Sequence, residues 1–228
     1  MTRNNAPQKN APADPAEERL KASAQRLFSK RGIDGVSVRD IVAEAGLRNG
    51  ASLHYYFRSK DGLIRALVLD GANRSDTARR KALDALEARG ETITVRDIIK
   101  MLVDVETLPQ GEESAPSGFG HMRFIVALQI NHRRLMDEAL DGHSNIGYRR
   151  SLDHMRACLP GLPADILNQR FIFMYINLVT ILAAREAAFE AHPEGGKLWS
   201  SPEALPNLVA TLAAAIEAPW PLVFDPKV

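Results

Sequence analysis

The stretch that most constrains the fold is residues 37–60, SVRDIVAEAGLRNGASLHYYFRSK. Ser37 and Asp40 stand three residues apart, which predicts a helix start, because a hydroxyl and a carboxylate can satisfy amide groups left free in a first turn. Four apolar residues then recur at helical spacing: Val38, Ile41, Val42 and Ala45. Gly46 predicts the end of this helix, since glycine readily adopts the left-handed conformation. One face of a short helix is therefore expected to be buried.

A second helix is predicted over residues 51–57, after a short turn. Leu53 and Phe57 lie four residues apart and are assigned to the core. Hydroxyl and ring N–H groups remain on the other faces, from Ser52, His54, Tyr55 and Tyr56. Cationic side chains flank the helix: Arg48, Arg58 and Lys60. This arrangement is typical of a helix that lies in the major groove of DNA with phosphates on either side.

The string AGLRNGASLHYYFRSKDGL resembles the helix-turn-helix of the TetR family of bacterial transcriptional regulators. The resemblance extends back through the preceding helix and covers roughly the first quarter of the chain. Ten residues separate Gly46 from Phe57, where the commoner pattern of the family has nine. A family subgroup with Arg-Asn after the turn glycine shares this longer spacing, and here that pair is Arg48 and Asn49.

The resemblance implies roles for individual residues. Tyr55 and Tyr56 fall on phosphate-contacting positions of the family, and Ser52 falls on a threonine near the start of the recognition helix. Lys60 falls on a lysine that opens the next helix beside the DNA backbone. The full set of expected DNA contacts is Ser37, Arg48, Asn49, Ser52, His54, Tyr55, Tyr56 and Lys60.

The distribution of charge agrees with a nucleic-acid partner at the start of the chain. Residues 1–60 contain 11 Lys and Arg against 6 Asp and Glu, whereas residues 61–228 contain 18 against 22. Solvated helix faces alone can produce such an excess. Together with the motif, the excess predicts an electrostatic DNA footprint whose affinity falls steeply with salt.

The chain is expected to be all-α, with about nine helices in two unequal domains, since no strand-type alternation or repeat of 20 to 50 residues is visible. Residues 1–13 are expected to be a disordered tail, with a basic arm for the minor groove as the alternative. Residues 14–60 form the predicted three-helix DNA-binding domain, which opens at Asp14 and Pro15. Residues 61–228 form the predicted ligand-binding and dimerisation domain.

Ser59 predicts the start of a helix that connects the two domains. Thr94 and Asp97 open another helix, residues 108–118 are a predicted loop, and residues 119–141 and 144–159 are predicted helices. The predicted helix over residues 163–192 is hydrophobic nearly all round at its centre, and a last helix follows at residues 205–216. In the TetR family, the two C-terminal helices form a four-helix bundle with those of a second copy, so a homodimer is expected. A monomeric core is the alternative.

No apolar run of about 18 or more residues appears, and the start of the chain has no apolar segment, so the sequence favours a cytoplasmic protein without a membrane span or signal peptide. Cys158 is the lone cysteine, which excludes an internal disulfide. It is interpreted as a small buried hydrophobe, with a redox sensor as the alternative.

An apolar cavity between the helices of the second domain is predicted, with Gln129, His132 and Asn177 as further polar handles. The candidate ligand-binding residues are Met101, Phe119, Met122, Arg123, Tyr148, Met155, Phe171, Met174 and Tyr175. Each Met or Phe at helical spacing is also a natural core residue. Arg123 lies in an apolar run, so its guanidinium must meet an anion, either a protein carboxylate or a ligand.

Four histidines recur every eleven residues, at His121, His132, His143 and His154. Eleven helical residues span about 16 Å, too far for two side chains to share a metal ion, so no metal and no cofactor are expected. No G-x-S-x-G, phosphate-binding glycine loop or H-E-x-x-H occurs, which argues against an enzyme. The sequence favours a homodimeric repressor of a DNA operator, released by an unknown small and largely apolar effector. A regulator controlled by a protein partner, without a small ligand, is the alternative.

Overall fold

In the computed structural model, residues 14–107 and 120–220 are described, and these residues fold as helices joined by turns. Phe119, the expected tail over residues 1–13 and the expected loop over residues 108–118 lie outside them. The eleven helices of the described part are α1 (Pro15–Arg31), α2 (Val38–Glu44), α3 (Ala51–Phe57), α4 (Lys60–Glu87), α5 (Val95–Thr107), α6 (His121–Asn131), α7 (Arg133–Leu140), α8 (Ile146–Cys158), α9 (Ala164–Ala191), α10 (Gly196–Trp199) and α11 (Ala204–Glu217).

Helices α1, α2, α3 and the first turns of α4 share a small hydrophobic core. Its centre includes Leu20, Phe28, Ile41, Leu53 and Leu63, each at most 2% exposed. The Asp14 carboxylate begins α1 by accepting a hydrogen bond from the amide of Ala16 at 2.9 Å, as its sequence predicted. Residues of α6 and α7 also belong to this core, among them Phe124, Ile125 and Met136, so the core extends beyond the three-helix domain expected from the sequence.

Helix α4 connects this domain to the rest of the molecule. Ser59 begins the helix, because its hydroxyl accepts a hydrogen bond from the amide of Gly62 at 3.0 Å. The helix has 28 residues and is therefore about 42 Å long. It packs against α3 near its start and against α5, α7 and α8 further along. One continuous helix is thus shared by both parts of the molecule.

The larger part of the molecule is built around α9, which packs against α6 and α11, while α11 also packs against α5. Thr94 and Asp97 form a capping box before α5, in which the Thr94 amide donates to the Asp97 carboxylate at 2.9 Å. The core here contains Ile98, Met155 and Leu182, all buried. Phe28 of α1 stacks on Phe124 of α6 at a ring separation of 5.8 Å, which joins the two domains.

The helix count differs from the expected nine at two places. The apolar stretch predicted as one helix divides into α6 and α7 at His132, whose backbone leaves the helical region at φ −134° and ψ 36°. This break turns the His132 ring toward the carboxylate of Asp34, 3.3 Å away. The short α10 lies between the two C-terminal helices expected from the sequence, where Gly195 adopts φ 77°.

Helix α9 is long and apolar enough to cross a membrane by length and composition, with a mean hydropathy of 1.5 over its most apolar window. The expectation that the chain contains no such stretch was wrong. A core helix of a folded domain meets the same two criteria, and one face of α9 lies in the hydrophobic core. Its opposite face exposes Ile172, Phe173 and Ile176, which are 58%, 59% and 49% accessible.

The interpretation of Cys158 as a buried hydrophobe was also wrong. This residue ends α8 and is exposed, with its thiol 3.3 Å from the carbonyl oxygen of Ile93. Its place at the end of the helix, beyond the packed face, explains the exposure.

Candidate nucleic-acid interface and inter-helix cavity

The start of α2 is fixed by a complete capping box. The Ser37 amide donates to the Asp40 carboxylate at 2.9 Å, and the Asp40 amide donates to the Ser37 hydroxyl at 3.2 Å. Gly46 follows the helix with φ 67°, and the amide of Leu47 donates a hydrogen bond to the carbonyl oxygen of Val42 at 3.0 Å. These bonds satisfy both ends of a seven-residue helix that is too short to be stable alone.

Helix α3 presents one face to the core and another to solvent. Leu53 and Phe57 are buried, whereas His54 and Tyr55 are exposed, with Tyr55 at 80%. The side-chain oxygen of Asn49 accepts a hydrogen bond from the amide of Ala51 at 3.1 Å, so Asn49 supports the first turn of α3. An exposed aromatic and imidazole face on a short, firmly anchored helix has the form needed to enter a DNA groove.

Tyr56 holds α3 against the start of α1. Its hydroxyl donates a hydrogen bond to the Asp14 carboxylate, which raises the pKa of Tyr56 to about 12 and lowers the pKa of Asp14. Its ring also meets that of Tyr55 edge-on, at a centroid distance of 4.9 Å. The hydroxyl predicted to contact phosphate therefore has a protein partner in this structure.

Lys60 also has partners within the domain. Its ammonium group donates to the carbonyl oxygen of Ile33 at 2.6 Å and lies 5.7 Å from the centre of the Phe28 ring. The side chain thus ties the start of α4 to the turn between α1 and α2. Among the predicted DNA contacts, Arg48, His54 and Tyr55 are exposed and Ser52 is half-buried, while four have a structural bond: Ser37, Asn49, Tyr56 and Lys60.

A cavity of about 150 Å³ lies between α4, α6, α7 and α9. Its apolar lining includes Val68, Ile125, Met136 and Leu140, which belong to or pack against the core of the three-helix domain. Its polar lining consists of Ser75, Arg79, Glu106, His121, His143, Asn145 and Tyr175. The cavity is therefore more polar than the sequence predicted.

The polar end of the cavity is organised around an ion pair between α4 and α5. Arg79 and Glu106 are 2.7 Å apart, and their side chains are only 11% and 8% exposed. The Arg79 guanidinium lies 5.5 Å from the centre of the Tyr148 ring, and Tyr148 contacts Tyr175 edge-on at 5.7 Å. Burial raises the pKa of both phenols, so they remain neutral hydrogen-bonding groups.

His121 packs directly against α4 at Gly71. A Cβ atom on Gly71 would lie 2.4 Å from Cε1 of His121, so a side chain at this position would displace the imidazole. Burial lowers the pKa of His121 and favours its neutral form; the Glu106 carboxylate opposes this shift, whereas the nearby cations Arg74 and Arg79 reinforce it. The glycine is thus what allows a histidine to line the cavity.

Three buried side-chain nitrogen or oxygen atoms of the described residues have no hydrogen-bond partner there, and all three belong to residues that line this cavity. They are Nε of Arg79, Nε2 of His143 and Oδ1 of Asn145. None of these residues was among the predicted ligand contacts. The sequence could have predicted that Arg79 faces inward, because it lies seven residues after Ala72 and four before Leu83 on the inward stripe of α4.

The predicted ligand residues are placed in several different environments. Met122 and Tyr175 line the cavity, and Tyr148 lies behind Tyr175. Met101 lines a separate open groove between α4 and α5. Other predicted contacts lie in the hydrophobic core of the larger domain: Met155, Phe171 and Met174. These three are explained by core packing, the alternative stated for each of them.

The anion that Arg123 requires is a protein carboxylate. Its guanidinium pairs with Glu190 of α9, which also meets the ammonium of Lys30 on α1 at 3.0 Å. One turn earlier on α9, Glu186 accepts hydrogen bonds from the amides of Met122 and Arg123, both at 3.1 Å. The first turn of α6, beside the cavity, is therefore connected to α1 of the three-helix domain.

The four regularly spaced histidines do not converge on one point. His132 meets Asp34 and His154 meets Glu87, while His121 and His143 line the cavity. Over residues 14–107 and 120–220, no group of three or more His, Cys, Asp and Glu side chains is placed to hold a metal ion.

Residues 20–67 match the model of a known protein family, described as bacterial regulatory proteins of the tetR family. The matched segment contains α2, α3 and most of α1. An HTH-type transcriptional regulator of Bacillus subtilis, YdgC, is 23% identical over 172 residues, which is 74% of this chain and 87% of that protein. The HTH-type transcriptional repressor KstR2 of Mycolicibacterium smegmatis is 35% identical over 63 residues, covering 27% of this chain and 30% of the repressor.

Solved structures show the same fold over most of the chain. A protein assigned to the TetR family from Shewanella sp. PV-4 aligns with a TM-score of 0.58 and 19% identity, covering 88% of this chain and 97% of that one. The fatty acid degradation regulator FadR of Bacillus halodurans aligns with a TM-score of 0.55 and 14% identity, covering 91% and 98%. At these identities the similarity concerns the fold alone.

Proposed function

We propose that this chain, a TetR-family transcriptional regulator, is a repressor that binds a palindromic operator as a homodimer and leaves it when a small molecule enters the cavity. The main support for the proposal is that α4 runs from the DNA-binding domain to the cavity. The helix begins in the DNA-binding domain, and five of its residues line the cavity: Val68, Gly71, Ala72, Ser75 and Arg79. A ligand there touches the same rigid element that positions α3.

On the DNA side, the exposed face of α3 supplies the base contacts. Tyr55 and His54 project from this face, and Arg48 and Arg58 flank the helix on either side. The resemblance to a named repressor over the same region supports repression rather than activation. The protein accordingly acts in the cytoplasm on double-stranded DNA, and no catalytic activity is assigned to it.

The homodimer is supported by the exposed side of α9. Ile172, Phe173 and Ile176 lie within two turns of one another and are each about half exposed or more. The neighbouring α11 exposes small and polar residues, including Thr211 and Ala214, which permit close approach of a second copy. Pairing α9 and α11 with their symmetry mates covers this surface. In a simple two-fold arrangement, the two α3 helices lie about 34 Å apart, one turn of DNA.

A ligand releases DNA to the extent that it prefers a conformation whose two α3 helices no longer match the half-sites. The cavity supports a small-molecule effector over control by a protein partner, because a volume of about 150 Å³ cannot admit a folded partner.

Genomic-fragment selection with the purified protein tests the proposal. The expected result is recovery of a palindromic site whose affinity falls with salt. Tyr55→Ala removes an exposed α3 side chain and should abolish recovery, whereas Ile130→Ala, at a 74% exposed position on α6, should leave it intact. Failure to recover any site at low salt contradicts the DNA-binding role.

Repeating the selection with an extract of cellular small molecules tests the sensing role. Release of the recovered palindrome by the extract supports an effector, and the assay then guides its purification. A palindrome that is retained with every extract tested contradicts control by a small molecule and favours a protein partner.

A further inference from the structure

We propose that the cavity binds a small uncharged molecule with an apolar body and one polar group that both accepts and donates hydrogen bonds, such as a carboxamide or an alcohol. This inference rests on the proposed sensing function and specifies its ligand. Three observations support it: polar atoms without partners at one end of the cavity, walls whose charges balance, and an apolar lining at the other end.

The unpartnered atoms determine the type of polar group. Arg79 Nε is a hydrogen-bond donor, Asn145 Oδ1 is an acceptor, and His143 Nε2 is one or the other according to its tautomer. All three are buried, and leaving such atoms without partners costs about 1–3 kcal/mol each. A ligand group that only accepts satisfies Arg79 and leaves Asn145 unpaired. A group that does both, such as an amide, satisfies the donor and the acceptor together.

The charges of the cavity walls disfavour an ionised group. Arg79 is already paired with Glu106, and both side chains are largely buried, so this pair adds no net charge. The neighbouring Asp76 is likewise engaged, by the amide of Gly147 at 2.6 Å and by Arg80 at 3.3 Å. A ligand carboxylate would enter beside Glu106, and a ligand ammonium would enter beside Arg79. Each of these ligand groups therefore lies next to a side chain of the same charge, and the site holds little water to screen the repulsion.

The order of residues along α4 determines the orientation of the ligand. Val68 and Arg79 both line the cavity and are eleven residues apart, about 16 Å along the helix. At the Val68 end the walls are apolar, with Ile125, Met136 and Leu140, and these groups adjoin the core of the DNA-binding domain. The polar group therefore faces Arg79 and Asn145, and the apolar body points toward the DNA-binding domain.

The volume limits the size of the ligand. A cavity of about 150 Å³ is comparable to engineered protein cavities that accept benzene. The ligand is accordingly the size of a substituted benzene ring or a short aliphatic chain, and a long-chain lipid does not fit this conformation.

Four benzene derivatives with the same number of non-hydrogen atoms separate the possibilities: benzamide, benzoate, acetophenone and cumene. They carry, respectively, a group that accepts and donates, an anion, an acceptor alone and no polar group. Calorimetry or ligand-observed NMR with the full chain should show the tightest binding for benzamide. Benzoate should bind at least about tenfold more weakly, because it places a charge beside Glu106.

Two variants locate the interaction. Asn145→Leu keeps the number and branching of the side-chain non-hydrogen atoms and removes the acceptor, so benzamide should lose about tenfold in affinity while cumene changes little. Asn145 makes no side-chain capping bond to α8, which makes this variant compatible with folding. Ala72→Leu fills part of the cavity and should weaken all four compounds, and its circular dichroism and melting temperature report whether the fold is intact.

The proposal is overturned if benzoate binds more tightly than benzamide, if Asn145→Leu weakens benzamide and cumene equally, or if a folded Ala72→Leu protein binds all four compounds normally. It is also overturned if no compound binds at millimolar concentration. Binding of the selected operator is measured separately on the same proteins. Loss of DNA recognition by the unmodified chain contradicts the proposed function, and this outcome is distinct from any result with the four compounds.

Discussion

Replacing Ile172 by alanine tests the proposed dimer surface on α9. Ile172 is 58% exposed in the single chain, and the facing copy is expected to cover it. The change removes three carbon atoms, each worth about 0.8 kcal/mol when fully buried. Multiplied by the exposed fraction of Ile172, this gives a loss of about 1.4 kcal/mol in the free energy of dimerisation for each protomer.

A two-fold interface contains the substituted position twice, so the dimer loses about 3 kcal/mol in total. This corresponds to an increase of about a hundredfold in the dimer dissociation constant. The stability of the isolated protomer should change little, because the deleted atoms face solvent there. Affinity for a palindromic operator should fall with the dimer, while affinity for a single half-site is retained.

Sedimentation velocity over a dilution series measures the dissociation constant directly, with the 25.1 kDa protomer as the reference species. The matched control is Ile130→Ala, the same substitution at a 74% exposed position on α6, and it should leave the dissociation constant unchanged. An unchanged constant for Ile172→Ala, or equal effects of both substitutions, would refute the assignment of this face. A wild-type protein that sediments as the protomer at micromolar concentration would refute the dimer itself.

Three further outcomes are expected. Ser37→Ala removes the capping box of α2 and should lower the free energy of unfolding by about 1 kcal/mol, measured by urea denaturation; no change would mean that the box contributes nothing. Arg48→Ala removes one exposed cation beside α3, so DNA affinity should fall on every sequence and the salt slope should decrease by about one, measured by fluorescence anisotropy; an unaltered slope would exclude a phosphate contact. Burial lowers the pKa of His121 below its ordinary 6.5, so the unfolded chain binds a proton that the folded chain does not, and stability falls as the pH drops below about 6.5. His121→Asn should reduce that loss between pH 7 and 5 in thermal melts, and an identical pH dependence would contradict the burial argument.

The DNA-binding domain was largely predictable, because its signals are local. The capping residues Ser37 and Ser59 and the spacing of Leu53 and Phe57 depend only on residues within one or two turns. The partners of Tyr56 and Lys60 were not predictable. Asp14 and Ile33 lie 42 and 27 positions away in sequence, and only the packing of α1 against the other helices brings them close.

The cavity was harder to predict, because its lining comes from several helices. Apolar residues such as Met155 and Met174 repeat at helical spacing whether they line a core or a cavity, so periodicity cannot separate the two. Polar residues on an inward face are the better signal. Arg79 lies on the buried stripe of α4, and its importance becomes visible only once Glu106 of the next helix is found opposite.

In the proposed function, the position of the cavity gives its occupant a route to the DNA-binding domain. Its walls join the two hydrophobic cores, with Val68 and Ile125 in the smaller core and Met122 and Leu178 in the larger one. A ligand that separates these groups shifts α6 relative to α4. Because Glu190 links α6 to α1 through Arg123 and Lys30, such a shift also strains the contact with the DNA-binding domain. The ion pairs are partly exposed and individually weak, so coupling depends chiefly on the packed helices. Glu190→Gln should therefore leave operator affinity within a few-fold of wild type and reduce release by the effector only modestly. Complete loss of release in that variant would assign the coupling to the ion pairs instead.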